Sequence, residues 1–182
     1  MARLSGKAGA VLVGLQTIDD CEDAWVTAGA GRTSTLDNTD YKVGSGSAKM
    51  VTVTIGATTL LHTEDFGAMN LTTYTVVLFY AKSSVNQALG DCQLLLDDTA
   101  ACASPLESLD IPALTANTWK YCRAALATPA NLAAIISVGL KQITDLADMS
   151  MWLDHIQAAK SVVGIKSWTL DQKTEVQDGP GF

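Results

Sequence analysis

The chain has 182 residues, 48% of them hydrophobic and 17% charged, and a formal net charge of −7. This composition excludes a charged disordered tail, and at this length one core can bury roughly 70% of the unfolded surface, which predicts a single globular domain. The acidic balance argues against a nucleic-acid partner, because phosphate binding needs a basic field.

In chain order, residues 1–14 read MARLSGKAGAVLVG. The apolar run is short and interrupted by glycine, and no small-x-small cleavage site follows before Asp19, so the segment reads as a mature N-terminus. Nowhere does the chain approach the roughly 18 consecutive apolar residues of a membrane helix, and no membrane partner is expected. Residues 49–55 (KMVTVTI) alternate, which puts Val51, Val53 and Ile55 on one face and Met50, Thr52 and Thr54 on the other. Residues 73–81 are apolar on both faces, as a covered central strand would be. Residues 92–97, 119–126, 134–140 and 151–158 read as further strands. Turn formers such as Asp37-Asn38, Gly44-Ser45-Gly46 and Thr128-Pro129-Ala130 separate them. Only 143–149 carries a weak helical period.

Strands without crossover helices predict an all-β fold, a two-sheet antiparallel jelly-roll sandwich over residues 17–160. Its expected core draws on Val51, Val53, Val76, Leu78, Leu94, Leu96, Ile136, Val138 and Ile156. Residues 1–16 and 161–182 are expected to be extended terminal arms. With Lys7, Val11 and Val13 in one and Ile165, Trp168 and Leu170 in the other, each should add a strand to its own sandwich or to a neighbouring subunit.

No catalytic constellation emerges, and a non-enzyme is expected. His62 near Glu64-Asp65 and His155 beside Asp154 have no nucleophile at a recognised spacing. The Gly44–Ser47 stretch lacks a G-x-S-x-G motif, and Gly6-Lys7 lacks the rest of a phosphate loop. Adjacent acids such as Asp97-Asp98 point to opposite faces of a strand and so do not form a two-carboxylate site. Four cysteines without a C-x-x-C pair argue against structural zinc. Cys92 and Cys102 flank an expected hairpin turn at Asp97-Asp98 and could cross-link in an oxidising medium; the alternative is four buried free thiols.

Two resemblances bear on function. The set Asp20/Glu22/Asp23 with Trp25, then Lys42-Val43-Gly44-Ser45-Gly46-Ser47, then Trp152-Leu153-Asp154 resembles the carbohydrate-binding-module type of jelly roll. That likeness implies a structural calcium ion held by Glu22, by main-chain carbonyls near Lys42 and Gly44, and by Asp154. The other reading is that Glu22 caps a turn and Asp154 is exposed. The likeness also implies glycan binding on aromatic platforms, whereas Trp25, Trp119 and Trp152 sit at alternating strand positions that suit a core. The two ends, MARLSGKAGAVLVG and VVGIKSWTLDQKTEVQDGPGF, resemble the opening strands of tailed-bacteriophage virion proteins. This second likeness implies a virion structural subunit, foremost a capsid decoration protein. Such a subunit would form a homo-oligomer, with a trimer favoured, and bind the major capsid protein through its arms. A tail or head–tail subunit and a glycan-binding module are the alternatives.

Overall fold

The computed structural model describes the backbone of residues 8–166 and the side chains of residues 14–160. Eleven strands are present among them: β1 (Ala8–Asp19), β2 (Val26–Thr27), β3 (Arg32–Asp37), β4 (Ser47–Thr52), β5 (Thr59–Met69), β6 (Val76–Ser83), β7 (Cys92–Asp97), β8 (Glu107–Asp110), β9 (Lys120–Ala125), β10 (Ile135–Gln142) and β11 (Met149–Lys166). They form two antiparallel sheets, in the jelly-roll sandwich expected. The first has the order β3-β4-β11-β6-β9 with β1 also on β11, and the second the order β2-β5-β10-β7-β8. The weakly helical stretch 143–149 forms no helix.

Strand β11 organises the first sheet. One of its edges pairs with β4 over Met149–Leu153 and then with β1 from Ile156 onward, while its other edge pairs with β6. The change of partner falls at an irregularity after Asp154, where His155 has a left-handed φ of +51°. The expected arm residues Val11 and Val13 thus pair with Val162 and Lys160, and Gly9 with Ile165, so the described parts of the two arms pair with each other. Lys7, Trp168 and Leu170 lie outside the described residues.

Period-2 patterning places side chains on two faces and leaves open which is inside. On β4 the inward residues are Ala48, Met50 and Thr52; Val51 is half-buried on the outer face and Val53, beyond the strand, is 48% exposed, the reverse of the expectation. Val77, Phe79, Met151, Leu153, Ile156 and Ala158 pack from the first sheet against Leu61, Leu94, Leu96, Leu109, Val138 and Leu140 from the second. Val76 and Leu78 are buried, yet with Ala159 they form a separate cluster away from this core, and Ile136 is only half-buried.

The cysteines are all buried and free. The Cys92–Cys102 cross-link is absent because β7 does not turn back at Asp97-Asp98. A 3-10 turn at Ala100–Cys102 intervenes and the partner strand is β8. Cys92 lies opposite Gln142, whereas the Cys102 sulfur lies against Gly139, three residues away on β10. That offset is about 10 Å at strand rise, beyond disulfide reach. Burial pushes the Cys92 thiol up to about 12 and those of Cys102 and Cys122 to about 11.

Candidate functional site

The outer face of the first sheet carries the most concentrated side-chain chemistry. Trp152 on β11 stands opposite Lys49 on β4 and Lys82 on β6. Both ammonium groups lie over its ring, 5.0 and 4.4 Å from a ring centroid, at cation–π distance. Its indole N–H donates to Asp37 Oδ2 at 2.9 Å, and that bond, ahead of those from Thr39, holds the Asp37 carboxyl down at about 2. The 38–46 loop then crosses the face. Asp40 accepts from the Trp119 indole at 2.6 Å and from the Lys82 ammonium; burial opposes its ionisation, but these two partners hold its carboxyl below the usual range.

Trp119 and Trp152 therefore lie on the outer face and not in the core, and only Trp25, at 2% exposure, has the core role expected of all three. Trp152 is 8% exposed beneath the lysines. Accessible aromatic surface is found one strand further on. Trp119 is half-buried, Tyr80 and Tyr121 face each other across β6 and β9 with ring centroids 4.9 Å apart, and Tyr121 is 55% exposed. Arg123 follows on the same face of β9, exposed and without an ion pair or hydrogen bond among the described residues. The tyrosine and arginine positions escaped the sequence reading, although Tyr121 and Arg123 at i, i+2 are the alternation that marks one strand face.

Where β11 changes partner, the chain leaving β1 and the 38–46 loop meet. This junction brings Glu22, residues 42–45 and Asp154 together. Glu22 accepts from the Ser45 amide at 2.7 Å and its hydroxyl at 2.5 Å, which lowers its carboxyl. Asp154 Oδ2 accepts from the amides of Lys42 and Val43 at 2.5 and 2.9 Å. The loop thus turns N–H donors toward the acids, where carbonyl ligands from Lys42 and Gly44 were expected. Asp154 is wholly buried, not exposed, and burial raises its carboxyl despite those two amides. Its Oδ1 has no partner, and a buried carboxylate oxygen in that state is suited to a cation. No three His, Cys, Asp or Glu side chains converge as metal ligands among the described residues.

His155 adjoins Asp154 at this junction and its main chain contacts the buried Cys21 thiol, whereas His62 lies on β5. His62 is buried, with Nε2–H donating to the Thr33 carbonyl at 3.1 Å, and desolvation lowers it to about 4. Glu64, half-buried, is pushed up to about 7 by desolvation and by Asp23, Asp19 and Asp65.

No family model matches the chain, and no curated protein is similar to it in sequence. Its fold is similar to that of a family 11 carbohydrate-binding module from Clostridium thermocellum, solved in complex with a β-1,3-1,4-mixed-linked tetrasaccharide. That likeness has a TM-score of 0.61 at 12% identity over 84% of this chain and 99% of the module. The family 11 module of a cellulosomal cellulase of the same organism gives 0.60 at 13% identity, over 84% and 98%. The CBM22-1 and GH10 modules of a Clostridium thermocellum xylanase, complexed with xylohexaose, give 0.55 at 11% identity, over 85% of this chain and 29% of that one. At these identities the chain shares with carbohydrate-binding modules a β-sandwich fold.

Proposed function

We propose that the protein is a non-catalytic glycan-binding module that engages a polysaccharide on the outer face of its first sheet. The observation that carries this reading is the run of Trp119, Tyr80 and Tyr121 beside Arg123. Flat aromatic rings of this kind bury the apolar face of a pyranose, and the guanidinium offers hydrogen bonds to its hydroxyls. The fold shared with modules solved with a β-1,3-1,4-mixed-linked tetrasaccharide or xylohexaose supports it. Those likenesses lend no support to a capsid-decoration subunit, a trimer or a virion location.

Affinity electrophoresis in gels containing mixed-linked β-glucan, xylan or no polysaccharide tests the reading. At least one polysaccharide gel should retard the protein. Tyr121→Ala should weaken binding roughly tenfold, the effect of losing about 1.4 kcal/mol of stacking. Equal mobility in all gels would remove the basis for the proposal. At the Glu22–Asp154 junction the same reading places a structural calcium ion, with Asp154 Oδ1 as its anchor.

A further inference from the structure

The outer face of the second sheet carries a different arrangement. Asp65 on β5, Ser137 on β10 and Asp97 on β7 stand in one row across three adjacent strands. The 98–104 loop folds over that row and is tied to it at every point. The Ala101 amide donates to Asp65 Oδ1 at 2.8 Å, and the Ser137 hydroxyl donates to the Thr99 carbonyl at 2.7 Å. Ser104 N–H and the Thr99 hydroxyl donate to Asp97 Oδ2 at 2.8 and 2.5 Å.

These bonds leave one atom out. Asp97 is wholly buried, and its Oδ1 has no hydrogen-bond partner. No lysine or arginine pairs with Asp97 or Asp65 among the described residues, since the ion pairs found there involve Asp37 and Asp40 alone. A buried carboxylate oxygen is costly unless it is paired or metal-bound, and a second carboxylate in the same row adds to the need for positive charge.

We infer that this loop and row form a second cation site, distinct from the Glu22–Asp154 junction, with Asp97 Oδ1 as anchoring ligand and Asp65 as the outer carboxylate. The ion class is a hard divalent cation of the calcium type. Calcium completes an irregular shell from main-chain, hydroxyl and carboxylate oxygens, which is the inventory of this loop. The neighbouring sulfur does not favour zinc, because the Cys102 thiol, 3.3 Å from Ser137 Oγ, is kept protonated by burial.

The test is calorimetric titration of calcium chloride into chelator-treated protein, with thermal melts alongside. Asp97→Asn and Asp65→Asn should each weaken one calcium-binding event at least tenfold and shrink the calcium-induced rise in Tm. Asp154→Asn should leave that event intact, which separates this site from the other. Asp65 is exposed, so its variant keeps the test valid if Asp97→Asn does not fold. Calcium binding unchanged in Asp65→Asn would overturn the inference. So would an unchanged isotherm for a folded Asp97→Asn.

Discussion

Gly44 shows how one residue type positions an acid. It adopts a φ of +71°, and a Cβ built on it would collide with the Glu22 carboxylate. Only glycine accommodates both conditions, the left-handed backbone and the close approach of Glu22 to the Ser45 amide. Gly44→Ala should therefore cost about 1–3 kcal/mol, read as a lower urea midpoint at unchanged slope. A variant as stable as the parent would show that the loop can yield without losing Glu22. The meeting of Glu22, residues 42–45 and Asp154 was reached through the resemblance to carbohydrate-binding modules, not from the residues' own spacing. The orientation of the donors was not legible in the sequence. Whether the 42–45 loop presents N–H or C=O groups depends on backbone dihedrals that residue types such as Lys42 and Val43 leave free.

At the scale of elements, the 38–46 loop is held on the first sheet by a few polar ties. Asp40 is central to them, since it joins Lys82 and the Trp119 indole while its carbonyl accepts from the Ser47 hydroxyl. Asp40→Asn keeps the shape but loses the ion pair. It should speed proteolytic cleavage within 38–46 several-fold and leave the overall melt within about 1 kcal/mol of the parent. Cleavage at the parental rate would show that the Asp154 and Glu22 bonds suffice to hold the loop. The strands themselves were unevenly readable. β7 has the predicted bounds, because a compact apolar run ends at acids. β3 (RTSTLD) is a polar edge strand, β5 (TLLHTEDFGAM) carries a histidine and two acids, and β8 (ESLD) has four residues, so none shows sustained apolar alternation. The outward placement of Trp152 was hidden for a related reason. Around Trp152, β11 is covered on both faces by side chains or loop, and its irregularity after Asp154 breaks the alternation that would have separated them.

For the whole molecule, two titrations oppose one another. His62 has a folded value of about 4 against an ordinary 6.5, so as pH falls below 6.5 the unfolded chain takes up a proton that the native state refuses. Stability is lost between pH 6.5 and 4, by up to about 3 kcal/mol. Glu64 has a folded value of about 7 against 4.5, so the native state binds that proton first and gains stability as pH falls from 7 to 4.5. Asp19 and Asp154 are raised in the same sense. The two trends offset over the shared window. Glu64→Gln should uncover the histidine effect, losing clearly more stability than the parent between pH 7 and 5 in urea titrations, whereas His62→Gln should do the opposite. Parallel pH profiles for all three proteins would contradict this account.

The pairing of β1 with β11 sets how the domain would answer to tension. Ala8 lies opposite Lys166 at one end of the ladder and Asp19 opposite Ile156 at the other, so the two ends of the pair leave side by side. A force drawing them apart would act across the hydrogen bonds one rung at a time, peeling the strands from Ala8 and Lys166 toward the Glu22–Asp154 junction. The sandwich behind that junction would feel little load until the last rung opened. In a pulling experiment with handles at residues 8 and 166, β1 would detach at low force as an early separate event, ahead of the β4, β6 and β9 strands.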